Sequence, residues 1–308
     1  MPARDDKPKA GAGPQAGPAG AAWSVRVGAL TLARGGPLFL LAGPCVIEDE
    51  RMPFEVARTL RDLCAPLGVP FVFKASFDKA NRTRGDSFRG PGAKEGLALL
   101  ADVRKHVGVP VMTDIHEPAH AELAAGLVDM VQVPAMLSRQ TDLLIAAGRS
   151  GCAVNVKKSQ SMAPWDARWL IEKVASTGNP NVMVTERGVT HGYGTLINDM
   201  RAIPQMQAFG KPVVFDATHS TQLMSGGPGG SGVSGGDREM AKVLARAAVA
   251  AGCDGVFAET HPDPDRALSD GPNMIRLQDM PALLATLVRI RQAVEGAGPG
   301  RPASAANG

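Results

Sequence analysis

The sequence predicts an α/β protein, a (β/α)8 TIM barrel with a short N-terminal hairpin, and three observations carry that expectation. From residue 38 onward, short runs of Val, Ile, Leu and Phe alternate with amphipathic helical windows, the pattern of repeated βα units around a parallel sheet. Eight such runs occur. They are continuously apolar rather than alternating, so each strand is covered on both faces, which with eight strands favours a closed barrel over an open doubly wound sheet.

Taken in chain order, SVRVGALTLARGG (24–36) alternates apolar and polar residues about a glycine and predicts a hairpin covering the bottom of the barrel. The strand runs follow: LFLLAG (38–43), PFVFKAS (70–76), PVMTD (110–114), MVQVP (130–134), AVNVK (153–157), VMVTE (182–186), PVVFD (212–216) and GVFAE (255–259). Helical windows such as GAKEGLALLADVRKHV (92–107) and GDREMAKVLARAAVAAG (236–252) space apolar residues by three and four, and a glycine stands at the end of each to cap it. SGGPGGSGVSGG (225–236) reads as a flexible loop on the catalytic face, able to act as a lid. The Ala/Gly/Pro-rich ends, 1–22 and 297–308, carry too few large apolar residues to fold and read as disordered tails around one domain, 23–296.

Composition narrows the function. With 33 Lys plus Arg against 30 Asp plus Glu, the net charge of +3 is too mild for a nucleic-acid surface, and the basic residues sit in local motifs; the expected partner is an anionic small molecule. Cys45, Cys64, Cys152 and Cys253 are widely spread with no CxxC pair, and no apolar signal segment precedes them, so they read as reduced thiols in a cytoplasmic protein. No apolar run reaches the roughly 20 residues that span a bilayer, so no membrane partner is expected.

Nearly every strand run ends in a polar or charged residue: Cys45, Lys74 with Ser76, Asp114, Gln132, Asn155 with Lys157, Glu186 with Arg187, Asp216 and Glu259. C-terminal strand ends build the active site of a barrel enzyme. Lys74, Lys79, Arg82, Arg139, Lys157, Lys158 and Arg187 supply more positive charge than one carboxylate needs, so several phosphate or carboxylate groups are expected there. Cys45, His219, Glu259 and Asp270 offer one thiolate, one imidazole and two carboxylates, a set suited to Fe, Zn, Mn or Co rather than Ca or Mg. Cys64, Cys152 and Cys253 read as packing residues, and His106 and His120, on helical windows, as surface residues.

The motifs FKASFDKANR, RGPG, TDIHEP, QVPAMLSRQTDLL, VNVKKSQ, APWD, TERG, GYG, FDATHSTQ and AETHPDPDRALSD, in this order from about residue 38 to 290, closely resemble the 3-deoxy-D-manno-octulosonate 8-phosphate synthases. The resemblance implies condensation of phosphoenolpyruvate with D-arabinose 5-phosphate and water, with release of phosphate, by a cytoplasmic homotetramer making a lipopolysaccharide precursor. By motif, Lys74, Ser76, Lys79, Lys157 and Arg187 resemble the residues that hold phosphoenolpyruvate. Asn81, Arg82 and Thr83 resemble the loop for the sugar and its phosphate, with Arg82 and Thr83 acting across a subunit interface. Asp114, Gln132 and Arg139 complete the implied substrate lining, and Cys45, Lys79, His219 and Asp270 the implied catalytic set. The family's metal-independent branch carries Asn at the position of Cys45, so Cys45 implies the metal-dependent branch with Cys45, His219, Glu259 and Asp270 as ligands.

Near the sugar end this chain departs from its relatives at His191, Gly194, Thr195, Met136 and Arg84. The neighbouring 3-deoxy-D-arabino-heptulosonate 7-phosphate synthases share the barrel and metal set but read KPRT where this chain has KANRT, which decides for the five-carbon sugar. Two further readings stand beside these: a non-catalytic barrel that senses phosphorylated sugars, and an aldolase forming a Schiff base on Lys157.

Overall fold

The computed structural model describes residues 23–296 apart from 81, 83, 84, 191–194 and 224–234. Both expected tails, Asn81, Thr83, Arg84, His191, Gly194 and most of the 225–236 loop lie outside the described residues. The chain opens with a hairpin, β1 (Ser24–Val27) against β2 (Leu30–Ala33). Gly28 turns it at φ +56°, a conformation open to glycine because it lacks a Cβ.

The barrel then follows: β3 (Phe39–Gly43), α1 (Met52–Cys64), β4 (Phe71–Lys74), α2 (Ala93–Val107), β5 (Val111–Asp114), α3 (Pro118–Ala124), β6 (Met130–Val133), α4 (Thr141–Arg149), β7 (Ala153–Lys157), α5 (Ala167–Ala175) and β8 (Val182–Glu186). A short ribbon, β9 (Val189–Thr190) with β10 (Leu196–Ile197), precedes α6 (Ala202–Gln207), β11 (Val213–Asp216), α7 (Arg238–Ala250), β12 (Gly255–His261), β13 (Ile275–Arg276) and α8 (Met280–Gly296). Strands β3 to β8, β11 and β12 pair in parallel in that order, and β12 returns to β3, which closes the sheet. All eight predicted strands are present, with ends shifted by two residues at most.

Closure gives each strand two buried faces. One face packs outward on the helices: Leu40, Phe73, Val131, Val154, Val184 and Phe215 cluster with Leu60, Leu100, Leu144, Leu170 and Leu284. The other points into the barrel, where Leu41, Val72, Met112, Met130, Ala153, Met183, Val214 and Phe257 pack on Val25, Val27 and Leu32 of the hairpin. The predicted hairpin therefore plugs the N-terminal end. Two residues further along the same strands, on the same inward face by the period of 2, stand Gly43, Lys74, Asp114, Gln132, Asn155, Thr185, Asp216 and Glu259. The barrel interior thus changes from apolar to polar in one step, and the polar layer is the floor of the candidate site.

The expected glycine cap is present at α2, whereas α7 ends on Ala251 with Gly252 at φ 91° one residue beyond. Gly108 caps α2 at φ 75°, and Asp237 caps α7 by accepting from the Met240 N–H. Gly43 is required by a close approach: a Cβ there would lie 2.0 Å from the Lys74 carbonyl oxygen.

Candidate active site

On one side of the barrel the polar layer is a continuous hydrogen-bonded ladder. Ser76 and Gln132 both donate to Asp114, Asn155 Nδ2 donates to Gln132 Oε1 at 2.8 Å, and Thr185 Oγ1 donates to Asn155 Oδ1 at 2.7 Å. Every rung comes from a different strand or its end, so the ladder fixes the strand register at the mouth. Polar groups buried this deeply are stable only when paired, and this ladder pairs them.

Three lysines stand on this layer. Lys74 Nζ lies 2.7 Å from Glu259 Oε1, 3.0 Å from the Cys45 carbonyl and 3.5 Å from Asp114. Lys79 Nζ reaches the same two carboxylates at 3.7 and 3.9 Å. Lys157 Nζ is 2.6 Å from Asp216 and 3.7 Å above the ring of Phe257, which forms an aromatic base for the cation. Burial opposes the charge on Asp114, but Lys74, Lys79 and Lys157 outweigh it and hold its pKa well below the ordinary range. Burial likewise opposes the charge on Lys79, yet Cys45, Glu259, Asp114 and Asp270 push its pKa well up and favour its charged form. Lys157 goes the other way, because burial outweighs Asp216 and Asp114. Arg187, also buried, donates to the His219 carbonyl at 2.7 Å and to Gln222 Oε1 at 3.0 Å.

The sulfur, imidazole and carboxylates expected to form one group partly converge. Cys45 Sγ and carboxylate oxygens of Glu259 and Asp270 lie within 4.8 Å of one another. His219 is outside that trio but adjacent, with Nε2 3.6 Å from Glu259 Oε2. Its Nδ1 lies 2.9 Å from Asp216 Oδ2 and 3.4 Å from Lys157 Nζ; a proton on Nδ1 given to Asp216 would turn the Nε2 lone pair toward Glu259. Glu259 Oε2 is buried without a hydrogen-bond partner. Burial pushes the Cys45 thiol well up, Glu259 and Asp270 push it further, and Lys79 and Lys74 only partly oppose them. An orphaned carboxylate oxygen and a thiol crowded by carboxylates fit a cation between them. Asp270 itself is held at φ +49°, the one non-glycine positive φ among the described residues, and such strain concentrates at functional positions.

The remaining expected residues fall in different places. Arg82, expected to act across a subunit interface, donates here within its own chain, to Ser269 Oγ and to the Leu268 carbonyl. Arg139 is exposed in the turn before α4 and takes part in none of these contacts. Lys158 is corrected: one step past Lys157, it turns away from the barrel interior and is held by the carbonyls of Ser159 and Met162, with Glu186 at 3.5 Å. His120 is corrected as well; it is half-buried edge-on to Phe77, with Nδ1 accepting from the His116 N–H, because the short α3 lies over Phe77. His106 is exposed, and Cys64, Cys152 and Cys253 are buried free thiols, Cys64 pushed up to about 12 by burial. Sequence reasoning placed Asp216 on the rim without giving it a task and passed over Ser269 and Phe257. Phe257 was findable as the inward position two before Glu259; Ser269 stands in the motif AETHPDPDRALSD, but the pattern gave it no task.

The chain matches the DAHP synthetase I family over residues 24–295. It is 52% identical over 267 residues to a protein of Geobacter sp. (strain M21), covering 86% of this chain and 96% of that one. It is 53% identical over 263 residues to one of Alkalilimnicola ehrlichii, covering 85% and 94%, and 55% identical over 255 residues to one of Stenotrophomonas maltophilia (strain K279a), covering 82% and 91%. Each of the three is named 2-dehydro-3-deoxyphosphooctonate aldolase.

Proposed function

This chain belongs to the DAHP synthetase I family, and we propose that within it the chain joins phosphoenolpyruvate to D-arabinose 5-phosphate, with water, to give 3-deoxy-D-manno-octulosonate 8-phosphate and phosphate. The reaction makes the eight-carbon acid sugar of lipopolysaccharide precursors. The observation that carries the reading is the buried layer of Lys74, Lys79, Lys157 and Arg187 at one end of a barrel whose relatives bear that sugar's name. A sensor of phosphorylated sugars has no need of the Cys45, Glu259 and Asp270 group beside those cations.

Two anions must meet, and their mutual repulsion is the physical problem. Lys74, Ser76, Lys79, Lys157 and Arg187 hold the carboxylate and phosphate of phosphoenolpyruvate, while Arg82, with Asn81 and Thr83, receives the sugar phosphate; Asp114 and Gln132 line the space between, and Arg139 adds charge at its mouth. Positioning both substrates turns an encounter into a unimolecular step. C3 of phosphoenolpyruvate attacks the aldehyde carbon, water adds at C2, and the hemiketal phosphate loses inorganic phosphate by cleavage of its C–O bond. Lys79, whose charged form the surrounding carboxylates favour, stabilises the oxyanion that develops on the former aldehyde. His219 and Asp270 orient the protons that move, and Asp216 fixes the His219 ring.

Cys45, His219, Glu259 and Asp270 would hold a divalent Fe, Zn, Mn or Co ion. Such an ion supplies Lewis acidity for a bound oxygen and a fixed geometry for the two substrates. The donor set and the orphaned Glu259 oxygen support this. The resemblance supports a homotetramer and a cytoplasmic site of action; among the described residues no helix is long and apolar enough to cross a membrane.

Phosphate release from phosphoenolpyruvate, measured with arabinose 5-phosphate or erythrose 4-phosphate before and after chelation, tests substrate and metal together. Turnover with arabinose 5-phosphate, abolished by chelator and restored by Mn, Co, Fe or Zn, is expected. Preference for erythrose 4-phosphate would overturn the substrate reading, and full activity of metal-free protein the metal reading.

A further inference from the structure

One hydroxyl joins the two halves of this site. Ser269 is 2% exposed, and its Oγ lies 3.1 Å from Cys45 Sγ while accepting from Arg82 Nη1. The flanking residues are tied to the same two loops: Arg82 Nη2 reaches the Leu268 carbonyl at 3.4 Å, the Leu268 N–H donates to Glu48 Oε1 at 2.9 Å, and Asp270 Oδ2 stands 3.3 Å from the Cys45 sulfur. A serine hydroxyl has one proton and two lone pairs. Arg82 occupies a lone pair, so the proton is free to point at sulfur. When Cys45 is a thiol, S–H donates to Oγ; when it is a thiolate, the bond reverses and Oγ–H donates to sulfur, polarised by the guanidinium behind it.

We propose that Ser269 is a positioning residue that couples the Arg82 arm to the Cys45 sulfur, so that arrival of the sugar phosphate changes the donor strength of the thiolate. The proposal rests on the reading that Arg82 takes the sugar phosphate and Cys45 is a ligand. With Arg82 drawn to an incoming phosphate, the Ser269 hydroxyl loses its polarising partner and its bond to sulfur weakens. The sulfur becomes more electron-rich, since hydrogen bonds to a ligating sulfur withdraw charge from it. The sugar phosphate therefore reports to the Cys45 sulfur through a single buried oxygen. Ser269→Ala removes the coupling without removing a ligand or an anion-binding charge.

The full-length protein loaded with Co(II) gives the readout, through the thiolate-to-cobalt charge-transfer band. In the wild type, arabinose 5-phosphate is expected to move the band to lower energy. In Ser269→Ala the band starts at lower energy and no longer responds; Ser269→Thr, which keeps the hydroxyl, restores the response in part. Arg82→Ala moves the resting band in the same direction, and the double variant moves it no further, because both cuts break one chain. The Michaelis constant of Ser269→Ala for arabinose 5-phosphate falls, by up to roughly tenfold, because Arg82 no longer has to leave a hydrogen-bonded partner to meet the phosphate, while that for phosphoenolpyruvate is unchanged. A Ser269→Ala band that matches and responds like the wild type overturns the coupling and leaves the function untouched. Absence of any thiolate band in the wild type removes Cys45 as ligand and takes the proposal with it. Should Ser269→Ala fail to fold, an unmoved band in Arg82→Ala is equally decisive against it.

Discussion

Replacing Asp216 with asparagine tests how the site is held, because one buried carboxylate serves four donors. Its Oδ2 takes Lys157 Nζ at 2.6 Å and His219 Nδ1 at 2.9 Å; its Oδ1 takes the His219 N–H at 2.9 Å and Thr218 Oγ1 at 3.2 Å. An amide has one oxygen to offer. With its nitrogen at the Oδ2 position it faces the Lys157 ammonium and forces His219 to accept at Nδ1, moving the ring proton to Nε2, where it faces Glu259. With its nitrogen at the Oδ1 position it faces a backbone N–H. Either orientation sets donor against donor and leaves Lys157 buried without its counter-charge, a defect that costs about 3–5 kcal/mol. The melting temperature should fall by on the order of 10 °C. Loss of the outer partner of His219 should lower metal affinity or turnover by about 10- to 100-fold. Thermal unfolding, competition with a chromophoric chelator and phosphate-release kinetics measure the three. A variant with wild-type melting, metal affinity and turnover would refute the assignment of Asp216 as the group that orients His219 and balances Lys157.

Arg82→Ala should raise the Michaelis constant for arabinose 5-phosphate, whereas Lys157→Ala and Arg187→Ala should impair use of phosphoenolpyruvate, each by about 1.5–3 kcal/mol; equal effects of all three on one substrate would break the division of anions between loop and strand ends. Cys45→Asn, a neutral amide in place of a thiolate, should release the metal and leave reduced turnover that ignores chelator, since the amide, unlike the bare thiol of chelated wild type, can hydrogen-bond to substrate beside the lysine and arginine layer. Folded, metal-free and wholly inactive protein would instead make the ion essential to the chemistry. Asp114, whose pKa in the folded chain is held well below its unfolded value, contributes stability that is complete above about pH 4 and is lost as pH falls toward the folded value. The gap in unfolding temperature between wild type and Asp114→Asn should therefore be full at pH 7 and shrink below pH 4; a gap independent of pH would show that the carboxylate charge is not what Asp114 contributes.

The strands were legible because closure buries both faces, and a run such as AVNVK has no solvent face to interrupt it. The rim was legible for a related reason: a lysine or aspartate at the end of an apolar run has few places to go except the barrel mouth. The same reasoning failed one residue later. Lys157 and Lys158 look alike in sequence, yet the alternation of side chains sends only Lys157 inward, while Lys158 satisfies its charge on carbonyls and Glu186. Asp216 was visible but mute, because its task depends on a histidine three residues on whose ring must fold back to it. Ser269 was equally mute: its position beside Cys45 depends on a turn in which Asp270 adopts positive φ and Gly271 packs where a Cβ would meet the Pro264 carbonyl at 2.3 Å. Short-range pattern locates a site; the long loops that fill it do not announce their side chains.

The charges of the site explain how it can attract two anions and still fold. Lys74, Lys79 and Lys157 are each within ion-pair reach of Glu259, Asp114 or Asp216, so the carboxylates offset much of the repulsion between the cations, of which Lys74 still exerts some on Lys157. That balance also sets the order of events at the mouth. An anion reaching Lys157 competes with a carboxylate at 2.6 Å, whereas one reaching Arg187 competes only with a carbonyl and a glutamine side chain. The donor is charged in both places, but only Lys157 faces a full opposite charge, so displacing the carbonyl and the amide oxygen from Arg187 forfeits less Coulomb energy. On the proposed reading, Arg187 is therefore the cation expected to engage an incoming anion before Lys157 does.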